Sequence, residues 1–469
     1  MLVKLFPSLK ENKLIKLVNK FLYSYYYLGF IGMITLLSCM FGVEMYVYYL
    51  YVLFGGLLPT LFCDDYLPVL APLAMAYSSV SLKSNNALEG HSLFGGSNKI
   101  HLFILLSLIT VIVGSRFIFD LIKEKERRRS VPKLWLGFVI LGIAYMVGGL
   151  FSPTFDIKSV RFGLVEILSI AGLYFVLHYM IDYKSIKKEY YFILMMIYGF
   201  ILVGEIIFSL VTRPDMAVQT GWGIRNNIAA QLAICMSAPL YLAIKKKASW
   251  LFLLIAALFG VSCCATNSRG GSFASAVIFI IGMVIYFKKG DKKKRITGIV
   301  IISSAIAILL GAFIIVPERF LTFFGRVTWY TIEESSLFAS RSSIWEDGWN
   351  DFISNPMFGK GWYDCAAERN ANFTYDFMPS RYHNTYIQLM ASTGLLGLCA
   401  YGYHRYQTIK LTIKNSSLEK TFVFLSISGM LIASLVDCHF FNLGPGLNYA
   451  IALFFIESLF KQEESLKQA

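Results

Sequence analysis

Apolar residues in this chain gather into long unbroken runs rather than into stripes. A helix needs about 20 mostly apolar residues to cross the hydrocarbon core of a bilayer. Runs of that kind lie near 22–42, 44–62, 66–81, 101–121, 133–151, 161–182, 191–211, 227–244, 249–266, 271–287, 296–316, 384–403, 421–438 and 446–460. They predict an all-α, polytopic integral membrane protein with about 14 transmembrane helices, and about 12 if the weakest runs do not cross. Asp64 and Asp65 separate the second and third runs, so that pair also reads as one crossing plus a re-entrant piece.

One connection departs from the pattern. Residues 317–383 are polar and rich in Trp, Tyr, Phe, Asp, Glu and Arg. A connection this long is usually functional or disordered, and its aromatic content argues for order. Ser343 and Glu346 form an S-x-x-E capping box. Trp345, Trp349, Phe352 and Ile353 then fall on one helical face, and Pro356, Gly359 and Gly361 end the run in a turn. The expectation is a short amphipathic helix that lies on the membrane or caps a cavity. The chain thus divides into an N-terminal transmembrane bundle (1–316), a large extracytoplasmic loop (317–383), and C-terminal transmembrane helices with a cytoplasmic tail (384–469).

Composition agrees. Apolar residues make up 56% of the chain and charged residues 15%, against about 25% charged in a typical soluble domain. The formal charge of +14 raises the question of nucleic acid, but its distribution answers it. Basic residues cluster at Lys10–Lys20, Lys123–Lys133, Lys184–Lys188, Lys245–Lys247, Lys288–Arg295 and Arg405–Lys420, between the apolar runs. A nucleic-acid face needs one continuous patch, whereas these clusters follow the positive-inside rule. With a cytoplasmic N-terminus, every cluster falls on the cytoplasmic side. The first apolar run follows a basic stretch, is long enough to span and lacks a small-residue cleavage site, so it reads as a crossing and not as a cleaved signal. The eight cysteines show no C-x-x-C pair and no metal-type spacing. Cys235, Cys263, Cys264 and Cys399 read as small core residues. Cys365 and Cys438 share the outer side, where a disulfide between them is an option.

Four outward positions carry candidate chemistry: Arg225 in Gly-Ile-Arg-Asn-Asn, Arg269 in Asn-Ser-Arg-Gly-Gly, Arg341 in Ala-Ser-Arg-Ser-Ser, and His383 in Arg-Tyr-His-Asn-Thr-Tyr. Arginines that converge on one cavity match diphosphate oxygens bidentately, and a nearby histidine can move a proton near neutral pH. That set suits a reaction whose leaving group is a lipid diphosphate. Each residue also has a plainer reading. An arginine at a helix end can anchor the interface, a histidine at a helix start can be structural, and Trp345 and Trp349 can belong to an aromatic belt. Among mid-span charges, Glu166, Glu205 and Arg116 are the ones a transporter would use.

These residues resemble those of the O-antigen ligase and O-antigen (Wzy-type) polymerase superfamily of bacterial surface-polysaccharide assembly. The similarity runs from about Asn267 to Gly397. It comprises Ser268-Arg269-Gly270, Ser340-Arg341 with Ile344-Trp345, Asn355-Pro356, Gly359-Lys360-Gly361-Trp362, His383-Asn384-Thr385-Tyr386-Ile387-Gln388-Leu389 and Gly394-Leu395-Leu396-Gly397. The resemblance implies a multi-pass enzyme of the bacterial cytoplasmic (inner) membrane whose active site faces the extracytoplasmic side. It would use no cofactor and no metal, and would transfer a glycan from an undecaprenyl-diphosphate-linked donor to an acceptor glycan or lipid. By the same resemblance Arg269 and Arg341 contact the diphosphate and His383 is the catalytic histidine. Arg225 and Asp437 are weaker counterparts, and Asn384, Tyr386 and Trp345 supporting ones. A polysaccharide polymerase (O-antigen, capsule or exopolysaccharide) is the first reading of the acceptor and an O-antigen ligase acting on lipid A core the second. The Lys-, Ile-, Asn- and Tyr-rich composition favours the former. A chain-length regulator and a flippase are the protein partners it implies, and a lipid-linked glycan flippase is the rival from another class.

Overall fold

The computed structural model describes the chain apart from residues 81–97, 124–130, 154, 214–217, 316–336, 363–381, 442 and 469. Among the described residues there is no β-strand, only one isolated bridge between Gln219 and Ile224. The helices used below are α1 (Lys13–Leu22), α2 (Tyr25–Phe41), α3 (Glu44–Phe62), α4 (Leu67–Ser79), α5 (Asn98–Lys123), α6 (Trp135–Met146), α7 (Ile157–Met180), α8 (Tyr190–Thr212), α9 (Arg225–Lys245), α10 (Ser249–Ala265), α11 (Arg269–Lys289), α12 (Lys292–Ile315), α13 (Leu337–Ser354), α14 (Thr385–Ile413), α15 (Leu418–Ala433) and α16 (Leu443–Gln468). Each apolar run read from the sequence falls on one of these helices.

Fewer of them meet the test for a full crossing. Among the described residues six helices are long and apolar enough to span: α3, α5, α7, α8, α9 and α11. A seventh arises if α1 and α2, bent by 67° where they meet, count as one broken span. α4, α6 and α10 are shorter apolar helices.

The α3–α4 junction shows how the bundle accommodates charge. Arg116 of α5 is fully buried and pairs with Asp120 at 2.7 Å. Its other guanidinium N–H groups donate to the carbonyls of Pro59, Thr60, Cys63 and Asp64. A helix ends with carbonyls that lack intrahelical partners, and this arginine serves those at the end of α3. Asp65, also buried, accepts from the Tyr23 hydroxyl and from the Leu67 N–H, which starts α4.

α9 is the central helix. It is almost wholly buried, and it packs against α8, α10, α11, α15 and α16. Near the site, glycine allows close approach. A Cβ on Gly271 would lie 2.2 Å from the Ala229 Cβ, and one on Gly270 would lie 2.0 Å from Val436 Cγ2. Basic residues at the ends of these helices gather at the far end of the set. There Lys245 pairs with Glu419 (2.9 Å), Lys246 with Glu189 (2.5 Å) and Lys420 with Glu463 (2.8 Å).

α14 is broken where the sequence shows an uninterrupted run. Gly394 has φ 63° and ψ −158°, which frees backbone groups on both sides. The 356–361 segment takes them up: Lys360 and Gly361 N–H donate to the carbonyls of Ala391 and Ser392, while Leu395 and Leu396 N–H donate to those of Pro356 and Met357. Trp362 is buried beside this break and donates its indole N–H to the Tyr145 carbonyl at 3.0 Å.

Several sequence expectations change here. α13 begins at Leu337, so Ser343 lies inside the helix and the Ser343/Glu346 pair is not its cap. The α13 face toward the bundle carries Arg341, Ile344, Gly348 and Asp351, while Trp349 and Ile353 are exposed. Cys399 is exposed and not a core residue, because it faces away from the bundle. Cys365 lies outside the described residues, and Cys438 is a buried thiol whose Sγ donates to Gln388 Oε1. Arg405 is no part of a solvated basic cluster. It donates to the hydroxyls of Tyr401 (2.8 Å) and Tyr449 (2.7 Å) and lies over both rings.

Candidate functional site

Three helix starts and one turn meet at the end of the bundle opposite the basic clusters. α9 starts at Arg225, after a turn in which Thr220 N–H donates to the Gly223 carbonyl at 2.9 Å. α11 starts at Arg269. Asn267 before it takes a left-handed φ of 57°, and Ser268 caps the helix by accepting from Gly271 N–H. α14 starts at Thr385, capped by Asn384, whose side-chain oxygen accepts from the N–H groups of Tyr386 (2.9 Å) and Ile387 (3.2 Å). The turn is 434–438, between α15 and a short 3-10 turn at His439–Phe441.

That turn is gripped from two sides. Thr385 N–H donates to the Ser434 carbonyl at 3.0 Å, and Asn384 donates its amide N–H to the Leu435 carbonyl at 2.8 Å. Arg341 of α13 donates to the Val436 carbonyl at 2.5 Å. α13 is held in turn by Asp351, which pairs with Lys360 (2.6 Å) and accepts from the Tyr382 hydroxyl (2.5 Å).

The result is one pocket lined by Arg225, Arg269, Arg341, Asp437, His439 and Asn226, together with the Asn267–Gly271 turn and Val436. Among the described residues, the lining holds three arginines and one carboxylate. The starts of α9 and α11 add the positive ends of two helix dipoles. Burial lowers the Arg341 pKa, Asp437 opposes that, and Arg225 and Arg269 add to the lowering. A guanidinium stays charged regardless, so the described lining carries an excess of positive charge suited to a multiply charged anion.

Asp437 links the pocket to His383. Its carboxylate accepts from Cys438 N–H (2.8 Å) and from the Asn226 amide (2.9 Å), and lies 3.3 Å from His383 Nδ1. Burial pushes the carboxyl up. The hydrogen bond from His383, the charges of His439 and His383 and the Cys438 N–H outweigh burial and hold it well below the usual carboxylate range. An ionised carboxylate only accepts, so Nδ1 carries the hydrogen and Nε2 is the basic nitrogen. The imidazole is 39% exposed. His383 itself has a left-handed φ of 50°, a conformation that non-glycine residues adopt rarely and often at functional sites.

The remaining sequence candidates lie elsewhere. Trp345 is half-buried on α13, and Tyr386 is half-buried with its ring edge-on to Tyr401 at 5.9 Å. Neither lines the pocket. Asn226 and His439 were missed by the sequence reading. Asn226 follows Arg225 directly, and His439 lies two residues past Asp437, so proximity to flagged residues was the available signal.

No curated protein matches the chain. A stretch covering about a third of the chain, residues 251–402, which holds Arg269, Arg341 and His383 but not Arg225 or Asp437, matches the family described as O-Antigen ligase and supports the O-antigen ligase and polymerase superfamily to which the motifs pointed.

Proposed function

We propose that the protein is a membrane glycosyltransferase that moves a glycan from an undecaprenyl-diphosphate-linked donor to an acceptor sugar hydroxyl, with inversion and without a metal. The observation that carries this reading is the convergence of Arg225, Arg269 and Arg341 in one pocket beside the Asp437–His383 pair. The arginines bind the diphosphate and balance the charge it gains as the anomeric carbon–oxygen bond breaks. The acceptor hydroxyl attacks the opposite face of that carbon and gives its proton to His383 Nε2. Asp437 orients the ring and stabilises the imidazolium that forms. The diphosphate, its charge balanced, leaves without a general acid.

The orientation follows from charge. Lysine clusters mark the cytoplasmic end of a bundle, so the pocket opens on the extracytoplasmic side of a bacterial inner membrane, with 317–383 as a large loop there. The remaining apolar helices α4, α6, α10, α12, α14, α15 and α16 complete a set of about 14 crossings. The transporter reading loses Arg116, which is fully engaged in capping α3.

A polymerase that adds the glycan to another lipid-linked repeat unit remains the first reading of the acceptor. An O-antigen ligase is the second, favoured by the description of the matched family. Purified protein incubated with a lipid-linked repeat unit, with and without lipid A core, decides. Longer lipid-linked chains support the polymerase and transfer to the core supports the ligase. Release of lipid diphosphate in neither case overturns the glycosyltransferase reading.

A further inference from the structure

Glu205 is a carboxyl fully buried in the middle of α8, and the pocket chemistry does not use it. Its Oε2 accepts the indole N–H of Trp222 at 3.0 Å. Its Oε1 is buried without a well-formed hydrogen bond among the described residues. Around it lie Ser78 and, by way of Tyr198, Asn448. Asn448 donates to Gln231 of α9 at 3.0 Å. Ser78, Tyr198, Asn448 and Gln231 are all buried, and each has a polar atom lacking a well-formed partner among the described residues. These atoms include donors and acceptors, which internal water can serve because it does both. A half-satisfied carboxyl in a span is a poor stabiliser, so its place there calls for another account.

Trp222 supplies one. It belongs to the tight turn in which both the N–H and the hydroxyl of Thr220 donate to the Gly223 carbonyl, and that turn runs directly into Arg225. The Trp222 ring stands edge-on to Tyr77 at 6.0 Å. The ring also packs against the core, and its indole N–H is held by Glu205. We propose that Glu205 is a positioning residue: through Trp222 it fixes the 218–224 turn and so sets Arg225 in the pocket. The consequence for donor binding rests on the reading of the pocket given above, whereas the tether itself does not.

Two measurements separate the layers. Hydrogen–deuterium exchange over 218–228 needs no substrate. Glu205→Leu and Trp222→Phe lose amide protection there, while Glu205→Gln, whose amide oxygen still accepts from the indole, keeps it. Unchanged protection in Glu205→Leu and Trp222→Phe overturns the tether. The transfer assay then reads the effect on Arg225. Glu205→Leu and Trp222→Phe raise the donor KM by roughly ten- to a hundredfold, as expected for a displaced contact group, with kcat little changed, and Glu205→Gln restores it. A normal KM in both variants while Arg225→Ala raises it overturns the inference. A normal KM in Arg225→Ala as well counts against the pocket reading and leaves the exchange result to judge the tether. Loss of kcat in Glu205→Gln at unchanged KM also overturns the inference, because it shows that the carboxyl moves a proton.

Discussion

At the scale of the residue, the site depends on the shape of its charges as well as on their number. Arg341 donates through one arm to the Val436 carbonyl while facing Asp437 and two other guanidiniums. Lysine at this position keeps the charge but cannot hold the carbonyl and an anion together. Arg341→Lys is expected to raise the donor KM at least about tenfold, as is common when a bidentate contact is lost, and wild-type kinetics would show that Arg341 is only an anchor. Asp437→Asn removes the charge that orients His383. His383→Ala and Asp437→Asn should each lower kcat by roughly 10²- to 10⁴-fold, the usual range for general-base assistance, with donor affinity nearly intact. Near-normal turnover in the alanine variant would remove the base assignment. The arginines and the histidine were legible in the sequence because a charged residue beside a membrane span needs a reason to be there. The carboxylate that joins them was only a weak candidate, and Asn226 and His439 were not candidates at all. Their role arises where α9 meets the 434–439 turn, and those segments are separated by about 200 residues.

At the scale of the element, position was legible and interruption was not. Apolar runs marked the helices because each must face lipid or the bundle along most of its length. A glycine within such a run does not by itself signal a break, so α14 read as continuous through Gly394. The break matters because the freed backbone of α14 holds the 356–361 segment, and that segment's Lys360 holds α13 through Asp351. Gly394 lies in a backbone region essentially closed to other residues, and a Cβ there would come within 2.4 Å of the Met357 backbone. Gly394→Ala is therefore expected to cost about 1–3 kcal/mol or more, read as a lower Tm of the purified protein, and to loosen α13 so that activity falls further than stability. An unchanged Tm and activity would show that this junction does not position Arg341. The misplaced helix start teaches the same lesson. Ser343 and Glu346 have the spacing of a cap, but α13 already extends back to Leu337, so the pattern lies within a helix that packing carries past it.

At the scale of the whole molecule, one polarity organises everything: basic residues at one end of the bundle and the arginine pocket at the other. The two sets of positive charge differ in surroundings. Lys245, Lys246 and Lys420 are paired with glutamates, while among the described residues three arginines and one carboxylate line the pocket. On the orientation proposed above, with the basic loops in the cytoplasm, the pocket and α13 beside it lie on the opposite side. The test needs one exposed reporter at each end. Glu346 on α13 and Lys187 before α8 are both exposed. Cysteine is introduced at each in turn, in a chain carrying Cys365→Ser so that the native thiol of the long connection does not react. The parent chain corrects for the other thiols, most of which are buried. A membrane-impermeant maleimide should label Glu346→Cys in intact spheroplasts and Lys187→Cys only after lysis. The reverse pattern would invert the protein in the membrane and place the pocket in the cytoplasm. Labelling of both in intact spheroplasts would mean that the two ends do not lie on opposite sides of the bilayer, and the shared polarity of the helices would then have another cause.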